Sequence, residues 1–150
     1  MKRILIATDG STEAREAVEY GLDLARSSHA SATVLYVRRA NRPFIGDRFY
    51  QHDISAGLCR EDDVGDHAMR VAAELGVETD VFVLEGDPAA LIIELARLKD
   101  ADLIVLGSRN RGPRVAALLG SVSDDVVTHA DRPVLVTHAP DDRRRALATA

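Results

Sequence analysis

Apolar residues fall into five short runs along the chain. Most runs are continuous rather than alternating with polar positions, as in Ile4-Leu5-Ile6 and Leu103-Ile104-Val105-Leu106. Continuous runs of β-branched residues and leucine are typical of strands buried on both faces, which is the usual situation in parallel sheets. The runs predict strands at residues 3–8, 32–38, 77–84, 102–106 and 133–137.

Segments with apolar residues at helical spacing lie between these strands. Ser11 can cap the first helix, and Gly76 can end the second after residue 75. Asp87-Pro88 predicts a third helix start, because a carboxylate caps free N–H groups and proline suits the first helical position. The predicted inward residues are Ala14, Ala17, Val18, Gly21 and Ala25, then Val64, Ala68, Val71, Ala72 and Leu75, then Leu91, Ile92, Leu95 and Ala96, and finally Val122, Val126 and Val127 in a last helix at about 121–129.

Strands that alternate with helices need crossover connections. The chain is therefore predicted to be an α/β protein with three layers, α/β/α, around an open, mostly parallel five-stranded sheet. No internal repeat or linker divides it. We expect one domain at residues 1–139, an irregular segment at residues 39–56 and a disordered tail at residues 140–150.

Composition mainly excludes classes of protein. Apolar residues make up 46% and charged residues 29% of the 150 residues, as in a globular domain. The net charge of −5 argues against a nucleic-acid partner. The single Cys59 excludes an internal disulfide framework, and no apolar run approaches the roughly 18 residues of a membrane span. We expect a cytoplasmic protein without a membrane partner.

The predicted topology also indicates where a ligand would bind. In an open parallel sheet, ligands bind beyond the carboxyl ends of the strands, where the strand order reverses. Residues 8–11, 37–39 and 106–110 lie at three such ends and should meet there. Neither G-x-x-x-x-G-K-[ST] nor G-x-G-x-x-G occurs, which argues against a Walker-type ATPase and a dinucleotide-dependent dehydrogenase.

One candidate phosphate site lies within residues 107–123. Gly107 directly follows a predicted strand, so we expect a sharp turn and a close approach of ligand there. Gly120-Ser121-Val122-Ser123 opens the last helix, where free N–H groups and the helix dipole favour an anion. From spacing alone a second interpretation stays open, in which Gly107 is only a turn and Ser121 only a helix cap.

Together these segments resemble the universal stress protein family over residues 1 to about 139. I-L-I-A-T-D-G-S-T-E-A resembles the family's first strand and helix start, L-I-V-L-G-S-R its fourth strand, L-L-G-S-V-S the start of its last helix and P-V-L-V-T its final strand. The resemblance implies a Rossmann-like fold of the adenine nucleotide alpha hydrolase type. It also implies a regulatory stress-response protein that binds ATP, or AMP or ADP, with or without Mg²⁺.

The ATP-binding branch of that family carries the motif G-x2-G-x9-G-[ST]. Here Gly107, Asn110, Gly120 and Ser121 occupy the four positions, so asparagine replaces the second glycine. Asparagine tolerates a left-handed backbone better than most residues, and we expect a degenerate motif that still binds. A second hypothesis is that Asn110 disables the site and the protein acts through an unknown protein partner. A third is a slow ATPase or phosphotransferase that depends on Asp9.

The resemblance assigns roles to individual residues. Asp9 would accept hydrogen bonds from the nucleoside, and the main chain of Val37 would meet the adenine edge. The apolar side would be Ala7 and Leu106, the ribose and phosphates would pass Gly107 and Asn110, and the phosphates would be held by Gly120, Ser121, Val122 and Ser123. Beyond the family pattern, Arg109, Arg111 and Arg114 would offset phosphate charge, the alternative being three solvated loop charges.

The strand predicted at residues 133–137 is apolar and should lie at a sheet edge. Because an exposed apolar edge pairs readily, and because the family commonly pairs this edge across a two-fold axis, we predict a homodimer. The alternative is an edge shielded by the tail.

Overall fold

The computed structural model describes residues 1–38, 63–108 and 120–138. Within these ranges strands and helices alternate. The elements are β1 (Arg3–Thr8), α1 (Thr12–Ser28), β2 (Ser31–Arg38), α2 (Asp63–Leu75), β3 (Thr79–Glu85), α3 (Pro88–Leu98), β4 (Leu103–Ser108), α4 (Ser121–His129) and β5 (Val134–His138). The segment predicted to be irregular, the predicted tail and Cys59 lie outside the described residues.

The five strands form one sheet in the order β3-β2-β1-β4-β5, and every neighbouring pair is parallel. The chain extends the sheet from β1 to β3, then crosses back to place β4 on the other side of β1. Such a reversal opens a crevice at the carboxyl ends of the two central strands. The predicted α/β class is confirmed, with the strand at residues 134–138 at one edge.

Successive residues of β1 face opposite helical layers. Ile4 and Ile6 pack in a cluster with residues of α1 and α2, whereas Leu5 and Ala7 pack with residues of α3 and α4. All four side chains are buried. Burial on both faces explains why the apolar run in this strand is continuous rather than alternating.

Helix α1 approaches the sheet closely at Gly21. A Cβ atom at this position would lie 2.7 Å from Cδ1 and 2.8 Å from Cγ1 of Ile6, which is closer than carbon atoms approach in folded proteins. Ile6 is itself fully buried and has little room to move. Glycine is therefore required here by the helix–strand contact.

Strand β4 continues two residues beyond its predicted end. Gly107 and Ser108 pair with Thr137 and His138 of β5, so Gly107 is an extended residue inside the ladder. The expectation that the chain turns at Gly107 is wrong. Glycine and serine add nothing to the apolar signal, although their backbone groups continue the hydrogen-bonding pattern.

The buried face of α4 also differs from the prediction. Val126 is fully buried and Val122 packs against the core, but Val127 is 45% exposed. Val122 and Val126 are four residues apart and share a helix face, whereas the next residue is turned by about 100°. The prediction that Val127 points inward is therefore wrong.

Arg132, in the connection before β5, bonds to α3 and to the connection before β4, at the amino ends of the strands. Its Nη1 donates to the carbonyl oxygens of Ala96 at 2.7 Å and Ala101 at 2.8 Å, and its Nε donates to Asp131 at 2.9 Å. The Asp131 carboxylate also accepts from Arg97 at 3.1 Å. Its pKa is lowered to about 2, chiefly by the hydrogen bond from Arg132. These bonds fasten the end of the sheet opposite the crevice.

Candidate functional site

A cavity of about 360 Å³ lies at the carboxyl edge of the sheet, where β1, β2 and β4 end. Its size is within the range of small-molecule sites, and its position is the one that the topology predicts. The described residues that line it are Ala7, Thr8, Asp9, Ser11, Ala14, Tyr36, Val37, Arg38, Pro88, Ile92, Leu106, Gly107, Gly120, Ser121, Val122 and Ser123.

Every predicted site residue that the structure describes lines this cavity. They are Ala7, Asp9, Val37, Leu106, Gly107, Gly120, Ser121, Val122 and Ser123. The remaining two, Arg109 and Asn110, lie outside the described residues, as do Arg111 and Arg114. That these residues contact a nucleotide stays a prediction.

Four further features of the lining were missed by sequence reasoning: Tyr36, Ala14, and the α3 residues Pro88 and Ile92. The start of α3 follows β3 at the same edge of the sheet, so the strand-end rule that selected three other segments could have found it. Tyr36 and Ala14 gave no such signal, because the sequence does not show which way a side chain near the end of β2 or the start of α1 is turned.

The turn between β1 and α1 is held by side chains of its own residues. The Gly10 N–H donates to Thr8 Oγ1 at 3.2 Å, and the Ser11 N–H donates to Asp9 Oδ1 at 2.9 Å. Gly10 has φ +81°, a left-handed conformation that favours glycine. Thr8 is only 5% exposed. The turn therefore presents the Asp9 carboxylate in a fixed position on the cavity wall.

Backbone hydrogen bonds at the two ends of β2 show which way its carbonyl groups point. The Ser31 N–H donates to the carbonyl of Lys2, next to β1, whereas the Gly86 N–H donates to the carbonyl of Arg38 from the side of β3. In a parallel ladder successive residues of a central strand direct their polar groups to alternate neighbours. The backbone carbonyl of Val37 is thus directed toward β1.

Beyond Thr8, β1 leaves the sheet. The next donor that the register would supply to the Val37 carbonyl is the Gly10 N–H, since Tyr36 pairs with Thr8. That N–H donates to the Thr8 hydroxyl instead. β1 therefore gives the Val37 carbonyl no ladder partner at the edge of the cavity.

Helix α4 begins without a side-chain cap, unlike α1 and α3. The α1 cap Ser11 accepts from the Ala14 N–H, and the α3 cap Asp87 accepts from the Ala90 N–H, whereas Gly120 at the start of α4 makes no such bond. The first bond within α4 runs from the Asp124 N–H to the Gly120 carbonyl. The three preceding N–H groups therefore lack a partner within the helix, and the residues that carry them line the cavity at the positive end of the helix dipole.

At Gly107 and Gly120, the two glycines of the predicted phosphate motif, the backbone conformation does not require glycine. Gly107 is extended in β4, and Gly120 has φ −59° and ψ 156°, which any residue can adopt. Among the described residues, no atom lies within 4 Å of a Cβ built at Gly120. Of the residues that the structure describes, none fills the space beside Gly120 at the start of α4.

The described lining combines apolar, acidic and hydrogen-bond-donating groups. One wall carries apolar side chains and a carboxylate, Asp9, while the other carries N–H and hydroxyl groups of α4. Within residues 1–38, 63–108 and 120–138, no group of three or more His, Cys, Asp or Glu is placed to hold a metal ion. None of the described helices is long and apolar enough to cross a membrane.

Residues 1–138 match the family model for universal stress proteins. The chain belongs to the universal stress protein family. A universal stress protein of Methanocaldococcus jannaschii is 35% identical over 144 residues, covering 93% of this chain and 83% of the relative. One of Thermus aquaticus is 34% identical over 136 residues, covering 90% and 97%. The family that the sequence motifs suggested is confirmed.

Solved universal stress protein structures share this fold. A family member from Burkholderia pseudomallei superimposes with a TM-score of 0.68 at 30% identity, covering 92% of this chain and 96% of the other. An Arabidopsis thaliana member with AMP bound gives 0.65 at 23% identity, covering 95% and 94%. A universal stress protein in complex with cAMP gives 0.67 at 22% identity, covering 91% and 96%. At these identities the last two show that this chain shares their fold, and the AMP and cAMP are ligands of those two proteins.

Proposed function

We propose that this universal stress protein binds an adenine nucleotide in the cavity at the carboxyl edge of the sheet and acts as a nucleotide-dependent regulatory protein of the stress response. The ligand is ATP, or its shorter forms AMP and ADP, with or without Mg²⁺. The observation that carries the proposal is the uncapped start of α4 on one cavity wall, opposite a backbone carbonyl without a ladder partner on the other.

The phosphate end of the ligand would occupy the start of α4. The N–H groups of Ser121, Val122 and Ser123 have no partner within the helix, and the helix dipole adds a favourable potential for an anion. The missing Cβ at Gly120 leaves space for a phosphate oxygen to approach the backbone. No lysine occurs among the described lining residues, although Arg38 lines the cavity at the end of β2, and the proposal places the phosphates on the backbone donors of α4.

The nucleoside end would lie against β1 and β2. The Val37 carbonyl is suited to accept a hydrogen bond from the 6-amino group of adenine. Asp9, whose Oδ1 is oriented by the Ser11 N–H, would accept from the nucleoside, and Ala7 and Leu106 supply apolar surface. The AMP and cAMP complexes of two proteins with this fold support the choice of an adenine nucleotide.

Thermal unfolding with added nucleotide tests this function. At 100 times its dissociation constant, AMP, ADP or ATP should stabilise the fold by about 2.7 kcal/mol. Gly120→Trp should abolish the shift by filling the space beside α4. Leu98→Trp is a suitable control, because Leu98 is 62% exposed at the far end of α3. A wild-type protein indifferent to all three nucleotides at millimolar concentration, with and without Mg²⁺, would refute the proposal.

We also propose a cytoplasmic homodimer that pairs through β5. This strand lies at the sheet edge, and Val134, Leu135 and Val136 are each only partly buried. Light scattering of the full chain should give twice the mass of one chain. Val136→Lys should yield monomers because charge on an edge strand opposes pairing, whereas Tyr20→Lys on the exposed surface of α1 should not. A monomeric wild type would contradict this assembly.

A further inference from the structure

We propose that the buried Thr8 hydroxyl sets the base preference of the cavity, by accepting the Gly10 N–H and so leaving the Val37 carbonyl available to a 6-aminopurine. This inference rests on the proposed nucleotide function. It makes Thr8 a positioning residue, which acts on the base through the backbone of its neighbours.

The geometry gives the Gly10 N–H two possible acceptors. One is the Val37 carbonyl, the next position in the β1–β2 ladder, and the other is Thr8 Oγ1, which receives the N–H at 3.2 Å. After this N–H, the chain leaves the strand direction at Gly10, whose φ is +81°. Because Thr8 is 5% exposed, water competes poorly for its hydroxyl, and the bond that diverts Gly10 is protected.

A carbonyl acceptor distinguishes purines by the group at position 6. The amino group of adenine donates a hydrogen bond to it. The oxo group of hypoxanthine or guanine is itself an acceptor and would leave two oxygen lone pairs opposed. Unsubstituted purine makes neither interaction. Removing a buried hydrogen bond typically reduces affinity about fivefold, and opposing two acceptors costs more.

Titration calorimetry of the wild-type protein with three monophosphates gives the first test. AMP should bind about fivefold more tightly than purine riboside 5′-monophosphate, and IMP should bind more weakly than either. The phosphate and ribose are the same in all three ligands, so the comparison isolates position 6 of the base.

Two variants then test the role of the hydroxyl. Thr8→Val keeps the shape of the side chain but removes the acceptor, so the Gly10 N–H is free to donate to the Val37 carbonyl. The AMP:IMP affinity ratio should fall at least fivefold, while affinity for purine riboside 5′-monophosphate changes little. Thr8→Ser retains a hydroxyl and should keep the wild-type ratio. A merely structural role would weaken all three ligands together.

The outcomes separate this inference from the function on which it rests. If the wild type binds no adenine nucleotide, both fail. If it binds AMP and IMP equally, or if Thr8→Val keeps the wild-type ratio, only the role of Thr8 is overturned. Should Thr8→Val not fold, Thr8→Cys provides a weak acceptor of similar size, and a lowered AMP:IMP ratio is again required.

Discussion

Replacing Gly120 by aspartate should make the ligand-free protein more stable and at the same time weaken nucleotide binding at least tenfold. Gly120 has φ −59° and ψ 156°, close to the φ −66° and ψ 161° of Ser11, whose side chain caps α1. Within the described part of the chain nothing lies within 4 Å of a Cβ at Gly120. An aspartate can therefore adopt the cap conformation and accept from the first N–H groups of α4.

The expected stabilisation is about 1 kcal/mol. Aspartate exceeds glycine as a cap by a few tenths of a kcal/mol, and a negative charge at a helix start contributes about 0.3–1 kcal/mol. For a chain of this size, 1 kcal/mol corresponds to a rise in Tm of about 2–4 °C. The carboxylate would take the same N–H groups as a phosphate and repel it, so AMP affinity should fall at least tenfold.

Thermal unfolding without ligand and calorimetry with AMP measure the two effects separately. Gly120→Asn is the matched control, because asparagine caps as well as aspartate but carries no charge. It should stabilise the protein less and retain more affinity. An aspartate variant with wild-type AMP affinity would refute the placement of phosphate at α4. If the ligand-free aspartate variant has a lower Tm than the wild type, the cap position of α4 is not vacant.

Three further predictions concern the fold. Gly21→Ala should destabilise by about 1 kcal/mol or more in urea unfolding, because overpacking against Ile6 outweighs the helix propensity of alanine. Gly65→Ala, where the nearest described atom is 3.8 Å away, should instead stabilise, and equal effects would contradict the close contact. Arg132→Gln should lower the free energy of unfolding by about 1–3 kcal/mol, since it removes the guanidinium that donates to the carbonyls of Ala96 and Ala101. An unchanged urea midpoint would contradict this prediction. Because the pKa of Asp131 in the fold, about 2, is below its usual 3.8, its contribution is present above about pH 4 and is lost as the pH falls toward 2. Asp131→Asn should therefore show a flatter dependence of unfolding free energy on pH in that interval, and an identical slope would count against the pairing.

Most of the fold could be predicted because burial leaves a direct pattern in sequence. β1 is apolar at consecutive positions because its two faces contact different helical layers. Asp87-Pro88 correctly predicts the start of α3. The end of β4 could not be predicted, because Gly107 and Ser108 continue the ladder through backbone groups alone. Element order was thus clearer than element ends.

The candidate site was predicted from strand ends and a family motif, but for partly different reasons than the structure gives. The sequence predicts a turn at Gly107 and a helix start at Gly120. Neither glycine has a left-handed conformation, whereas Gly10 does. The Val37 carbonyl lacks a ladder partner for two reasons. The register of β1 and β2 directs it toward Gly10, and the Gly10 N–H donates to Thr8 Oγ1 instead. Such features depend on distant backbone geometry, which no local pattern in the chain specifies.

The bonds of Arg132 and the cavity occupy opposite ends of the same sheet. Substitutions in the cavity lining therefore leave the Arg132 bonds in place, and substitutions at Arg132 leave the cavity lining unchanged. The cavity lining and the Arg132 bonds can therefore be varied independently in the laboratory, with ligand affinity measured for one set of variants and unfolding free energy for the other.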